Sequence, residues 1–576
     1  MLLVFGPRST TYDFGTAHPL TPRRFGPGID LLAAVGAEPG LAPEPASDDE
    51  LMWCHARRYL DVVRAFARDP FRPPAAGISE GGDVPPFAGM HDAGAMVAGG
   101  SVRALEAILR GDVEHAFHPG GGLHHAMAGR AAGFCIYNDP ALAIARARHD
   151  GLRVLYVDLD VHHGDGVQEL HSDDPGVLTL SFHETGRYLF PGTGFSHELG
   201  EETAAGTSVN VPLEPGCGEG PWLEAVRGLV PALAASFRPD VVVSQHGADS
   251  HAWDPLAHLR VTTTAMGEAA RVVDAVAHRF AGGRWLATGG GGYDAYRVVP
   301  RAWSLVWLAG AHRAMPASTP GPWRERWAGE AARYGQAPLP VTFDDPPNAG
   351  VAVDAAQAAA EARSRDVWRA VRSAVVPAFV RAAIDRGWWE PLGGSGAIPG
   401  RSVAGVPGPT AVPAGEPTVH ARLDRQGLAA LRVADRTLPL PHGADAAAAL
   451  TAGVASEVDR VSVTGAVVDE VLVGAVVSAA ASDRGVRDLL AVGVAPEHRG
   501  HGVAAAMLEA HLGSFRPGDE AWTTTVTVAE RDPVEPFERT LRADVARRLL
   551  ERAGFTVRPA SGATRAIDTL AIEARR

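Results

Sequence analysis

The chain has 576 residues, beyond the about 250 to 300 at which a single hydrophobic core stops growing, so at least two domains are expected. A hydrophobic fraction of 46% with 21% charged residues excludes collagen-like and disordered polymers, while 66 Gly and 44 Pro predict long connecting segments. Lys plus Arg 53 against Asp plus Glu 67 gives a formal charge of -14, which repels polyphosphates and argues against nucleic acid as a partner.

No uncharged apolar stretch reaches the roughly 18 residues of a membrane span, and MLLVFGPRST carries no basic segment followed by an apolar one, so neither membrane nor export is expected. Cys54, Cys135 and Cys217 are odd in number and widely spaced, which leaves no disulfide framework or Cys-rich zinc site and suits a reducing cytoplasm. All 53 basic residues are arginine. Codon bias in a GC-rich genome accounts for this; the competing reading is that a chain handling acyl-lysine would otherwise modify itself.

From residue 1 to about 390, short β-branched runs alternate with Ala-, Leu- and Arg-rich stretches, the pattern of parallel βαβ units. VLYVD, PDVVVSQ and RWLATGG read as strands, each running into Gly, His or Asp. Pro140 to His149 and Pro221 to Phe237 have helical spacing with Pro at the start. Residues 391–415 are rich in Pro and Gly without periodicity and read as a linker. From 416 to 576, VDRVSVTGAVV, VLVGAVVSAAAS and RDLLAVGV read as strands and VAAAMLEAHL as a helix, which predicts a second, α+β domain.

In open α/β sheets ligands bind beyond the carboxyl ends of the strands. VLYVD leads into Asp158, Asp160, His162, His163 and Asp165; PDVVVSQ into His246, Asp249, His251 and Asp254; RWLATGG into Gly289 to Gly292 and Tyr293. Asp with His suits a borderline ion such as Zn²⁺, with Fe²⁺ the alternative, and three protein ligands define a catalytic site, here Asp160, His162 and Asp249. One such Asp/His turn is readily just a solvated loop; two at separate strand ends weigh against that. Upstream, His124 and His125 sit in a glycine-rich loop before Gly133, Phe134 and Cys135, with Asp158 and Asp165 as natural carboxylate partners for a general base. The Gly289 to Gly292 run could cradle phosphate, but no Lys exists to complete a P-loop.

Together YVDLDVHHGDGVQ, GGLHHAM, GFCIYND, FPGTG, GADSHAWDPLAHL and GGGGY resemble the zinc-dependent histone deacetylase family, in particular its acetoin-utilisation branch, over residues 1 to 385. The resemblance implies an arginase-like three-layer α/β fold on a parallel sheet and hydrolysis of an acyl amide, usually acetyl-lysine on a protein; an acyl-CoA synthetase is the target its branch suggests, and a small acetylated polyamine the alternative. It makes Asp160, His162 and Asp249 the zinc ligands. It makes His125 with Asp165 the general base and acid, His124 with Asp158 its electrostatic partner, and Tyr293 the hydrogen-bond donor to the substrate carbonyl. Phe134 and Phe190 would flank the acyl-lysine channel with Gly133 and Leu256, and Asp83 would grip the substrate backbone at the rim. Asp158, Ser181 and the carbonyls of Asp160, His162 and Phe182 would hold a structural K⁺.

In LLAVGVAPEHRGHGVAAAMLEAHL a strand runs into Arg499, Gly500, His501, Gly502, Val503 and Ala504 and then a helix, where consecutive N–H groups can bind a pyrophosphate. With RRLLERAGF downstream, this resembles the acetyl-CoA loop of the GNAT acetyltransferase superfamily over residues 416 to 576. Leu549 and Leu550 stand where many relatives carry a tyrosine acid, and Glu470 is no better a base than any surface carboxylate. The resemblance thus implies acetyl-CoA binding, with lysine acetylation or acetyl-CoA sensing as the two uses of it.

Overall fold

The computed structural model describes residues 1–200, 204, 206–346 and 354–385, and further along 417–420, 432–433, 461–468, 471–480, 486–494, 506–507, 509–511, 521–526, 556–559 and 570–575. The chain divides into two compact units, Met1–Arg381 and Ala382–Arg576.

Eight short runs build the sheet of the first unit: β1 (Leu2–Val4), β2 (Pro39–Leu41), β3 (His115–His118), β4 (Val154–Asp158), β5 (Val177–Glu184), β6 (Ser208–Leu213), β7 (Val241–Gln245) and β8 (Trp285–Thr288). Their order is β2-β1-β3-β8-β7-β4-β5-β6, and every neighbouring pair is parallel. A parallel sheet is covered on both faces, which is why β4 and β7 are apolar almost throughout and fully buried. Tyr156, Val243 and Leu286 join a core cluster with Leu105 and Ile108 of the helix Met90–Arg110 and Ile144 of the helix Asp139–His149. Alternate residues of the same strands face the other way. There His246, just past β7, lines a small cavity with Trp222, Met266 and Val306 from the helices Glu219–Phe237, Thr263–Phe280 and Val299–Gly310. The unit is a three-layer α/β/α fold.

The expected strands and helices coincide with observed ones within one or two residues: VLYVD is β4, PDVVVSQ ends in β7, and the Pro140 segment is the helix Asp139–His149, whose first turn is capped by Asn138 accepting from the Ala141 N–H at 3.0 Å. Register then sets the site. Across the sheet, Thr288 lies beside Gln245, Gln245 beside Asp158, and Asp158 beside Ser181, so the residues after β8, β7 and β4 leave the sheet side by side.

In the second unit the described strands are β9 (Thr418–His420), β10 (Arg432–Val433), β11 (Val461–Val468), β12 (Val471–Ala480), β13 (Val486–Val494), β14 (Ala521–Val526), β15 (Thr556–Pro559) and β16 (Leu570–Arg575). They form a mixed sheet of order β15-β16-β14-β13-β12-β11-β9, with β10 paired to β12. The β11, β12 and β13 meander is antiparallel, and β13 pairs in parallel with β14. The segment 391–415 and the loop Arg499 to Ala504 lie outside the described residues, as do Glu470, Leu549 and Leu550.

Candidate active site

Beyond the ends of β4 and β7, Asp160, His162 and Asp249 converge, with a donor atom from each within 4.8 Å of the others. His162 Nδ1 lies 3.1 Å from Asp160 Oδ1 and 3.2 Å from Asp249 Oδ2. A tetrahedral zinc with bonds near 2.05 Å separates its ligand atoms by about 3.3 Å, so these spacings already suit one ion. Asp160 Oδ2 accepts from Gln245 Nε2 at 2.6 Å and from the Gly291 N–H at 2.8 Å, and Asp249 Oδ1 accepts from the Val161 N–H at 3.0 Å. A Cβ on Gly291 would collide with the Asp249 carboxylate and one on Gly247 with that of Asp160, which explains glycine at both places.

Both carboxylates are buried, at 1% and 0% exposure, and such a pair is costly unless a cation lies between them. Burial and the charge of Asp160 push Asp249 up to about 6. Burial works against the Asp160 carboxylate as well, but His124 and His162 outweigh it and hold it well below the usual range. Burial likewise opposes the His162 imidazolium, yet hydrogen bonds to Asp160 and Asp249 raise it to about 10. The two carboxylates thus demand positive charge, and a borderline divalent ion fits the donor set.

Two histidines stand over this trio. His124 Nδ1 donates to Asp158 Oδ2 at 2.8 Å and His125 Nδ1 to Asp165 Oδ1 at 2.7 Å, with the two rings 4.0 Å apart. The environments split them. Burial lowers His124, but Asp158 and Asp160 prevail and set it at about 9; burial and the charge of His124 bring His125 down to about 4. The surrounding residues thus favour the cationic form of His124 and the neutral form of His125, whose Nε2 is left for chemistry. Tyr293 is held by its N–H donating to Asp254 Oδ2 at 2.9 Å, and burial with the charges of Asp249 and Asp160 raises its phenol well above the ordinary range, so it keeps its proton.

The cavity above the trio, about 280 Å³ including its open mouth, is lined by Leu20, His125, Gly133, Phe134 and Tyr293 among others. The Phe134 and Tyr293 rings meet edge to face at 6.0 Å. Phe190, 40% exposed, packs its ring 5.0 Å from His125. Gly133 has φ +49, and a side chain there would strike His125 and approach Phe190, so the slot needs glycine. Leu256, half-buried, donates its N–H to Asp254 Oδ1 at 3.0 Å and is not among the residues lining the cavity. Asp83 is exposed; its carbonyl lies 3.4 Å from His18 Nε2, whose ring packs 4.5 Å from Phe134. Asp158 Oδ1 accepts from the Asp160 N–H, Oδ2 serves His124 and Tyr156, and the Ser181 hydroxyl lies 2.8 Å from His183 Nδ1. Phe182 is buried on β5.

Several residues that shape the site carry no local signal in the sequence. Gln245 reads as the polar end of a strand yet orients Asp160. Arg24, in the unremarkable run TPRRFG, is 4% exposed and donates to the Gly290 carbonyl at 2.7 Å. Tyr12 donates to the Phe134 carbonyl at 2.7 Å and accepts from the Ile136 N–H at 2.9 Å, fixing Phe134 at φ +67. Tyr12→Phe leaves the part-buried Phe134 carbonyl and the buried Ile136 N–H unpaired, and the buried N–H alone costs about 1–3 kcal/mol. The expected outcome is a lower melting temperature and a raised KM, read by thermal denaturation and steady-state kinetics.

A histone deacetylase domain profile matches residues 18–309. The acetoin utilization protein AcuC of Bacillus subtilis is 42% identical over 352 residues, covering 60% of this chain and 90% of that protein. Its namesake in Staphylococcus xylosus is 37% identical over 341 residues, covering 58% and 88%. Among solved structures, an HDAC homolog complexed with SAHA is 29% identical with a TM-score of 0.55, covering 63% of this chain and 99% of that one. An HDAC homolog from Aquifex aeolicus is 30% identical with a TM-score of 0.55 over the same shares. With a profile spanning half its length and relatives covered almost from end to end, this chain belongs to the histone deacetylase family.

Proposed function

We propose that the first unit is a zinc-dependent deacetylase that hydrolyses acetyl-lysine on a protein. The observation that carries this is the convergence of Asp160, His162 and Asp249 under a slot bordered by a neutral histidine and a protonated phenol. An ion held by the three would supply Lewis acidity toward the acyl oxygen and toward water. His125, oriented through Nδ1 by Asp165, takes the proton of the attacking water on Nε2 and returns it to the departing amine. His124, charged beside it, stabilises the negative charge that develops, and Tyr293 donates its O–H to the acyl oxygen as that oxygen becomes anionic. Phe134 and Phe190 give an alkyl chain two apolar walls, a match to the stem of lysine.

The relatives' connection with acetoin utilization supports a metabolic protein target, an acyl-CoA synthetase being the one we favour, and K⁺ held near Asp158 and Ser181 remains part of the proposal. Turnover of the metal-loaded enzyme on acetyl-lysine peptides and on an N-acetylpolyamine tests the substrate class. Faster turnover of the peptides is expected; the reverse would replace the protein with a small amine.

A second reading concerns the other unit. The parallel pairing of β13 with β14 favours it, because the chain between them must cross over, and that crossover contains Arg499 to Ala504. We infer that this loop binds acetyl-CoA. Isotopic acetyl transfer by full-length Asp249→Ala protein separates a transferase, which moves the label to lysine, from a sensor, which binds without transfer.

A further inference from the structure

At the opposite end of β3 from the slot, three imidazoles and a carboxylate point at one another. His115 opens β3, Asp274 and His278 lie one turn apart on the helix Thr263–Phe280, and His312 follows the helix Val299–Gly310. His278 Nε2 is 3.0 Å from His115 Nε2 and 3.1 Å from His312 Nε2. Asp274 Oδ1 is 3.1 Å from His312 Nε2, 3.5 Å from His115 Nε2 and 3.6 Å from His278 Nε2. The remaining separation, between His115 and His312, is within 4.8 Å.

Pairwise hydrogen bonds do not account for this arrangement. An imidazole nitrogen offers one in-plane proton or one in-plane lone pair, yet His278 Nε2 has three polar neighbours. Four donor atoms converging on a common point is the geometry of a ligand shell. Five of its six edges measure 3.0–3.6 Å, and a tetrahedral zinc site with bonds near 2.05 Å requires about 3.3 Å. The backbone is arranged to bring the ligands in. Asp274 and His278 at i,i+4 share one helix face, and His312 takes φ +52, a conformation usually left to glycine after a helix. His115 is 3% exposed and packs its ring 5.6 Å from Trp285. The His278 and His312 side chains, 39% and 53% exposed, leave the site open to solvent on one side.

We propose that His115, Asp274, His278 and His312 form a second site for a divalent transition ion, Zn²⁺ in first place. Three imidazoles exclude Mg²⁺ and Ca²⁺, which require oxygen shells. Four protein ligands close the tetrahedron, so the ion is a clamp and not a reaction centre. It ties the first residue of β3 to two helices that cover the sheet, and it links the stability of the fold to zinc supply. The site shares no residue with the slot, and the proposal stands independently of the hydrolytic reading.

The test uses the full-length protein without a polyhistidine tag, stripped by chelator, equilibrated with excess Zn²⁺, desalted and measured by elemental analysis. The wild type is expected to retain one zinc per chain more than His278→Ala/His312→Ala, with acetyl-lysine hydrolysis unchanged in the variant. Asp274→Asn, which keeps the side-chain shape, is expected to lower zinc retention and to weaken the rise in melting temperature on adding Zn²⁺. Equal zinc content in the wild type and both variants would overturn the proposal. So would a rise in melting temperature that both variants keep in full.

Discussion

Replacing Tyr293 by phenylalanine is expected to lower turnover about 10²–10³-fold, the usual cost of one donor to a developing oxyanion. The phenol is buried and its proton is held by burial and by the charges of Asp249 and Asp160, so it can donate throughout the working pH range. The substitution removes one oxygen. The backbone bond to Asp254 is untouched, as is the edge contact of the ring with Phe134. Metal content and melting temperature should therefore match the wild type while kcat falls. Unchanged kcat would remove Tyr293 from the reaction.

His125→Ala is expected to cost about 10²–10⁴-fold, the range of a general acid–base group. The pH profile locates the two histidines separately. His125 must be neutral to accept a proton, so activity rises with pH through its value of about 4; His124 must be charged, so activity is lost as pH rises through about 9. A divalent ion beside them repels protons and moves both limbs to lower pH. Asp158→Asn removes the principal carboxylate that keeps His124 charged and should shift the alkaline limb downward. A profile whose alkaline limb ignores this substitution would separate His124 from catalysis.

Much of the first unit was legible because its central strands are short, β-branched and end abruptly in polar residues. VLYVD and PDVVVSQ could be placed within two residues for that reason. DLDVHHGDG and HGADSHAWDP stood out because carboxylates and imidazoles cluster there where strands end. That they meet depends on β7 lying between β4 and β8, a consequence of sheet order that no local pattern states. Residues acting through distant contacts were hidden for the same reason. Tyr12 holds a backbone segment more than a hundred positions away, Arg24 reaches a carbonyl more than two hundred positions away, and Gln245 acquires its partner through register. The His115 cluster was equally silent, since its ligands come from three elements and only Asp274 and His278 are near in sequence. Leu256 shows the converse: its neighbour Asp254 shaped the site through Tyr293, while Leu256 contributes a backbone N–H.

The most direct test of the central claim is the release of acetate from an acetyl-lysine peptide by zinc-loaded wild type and by Asp249→Ala, with melting temperatures measured alongside. The account predicts steady release by the wild type, abolished by chelator and restored by Zn²⁺, and loss of nearly all turnover in a folded Asp249→Ala protein. Comparable release by the two proteins would contradict it.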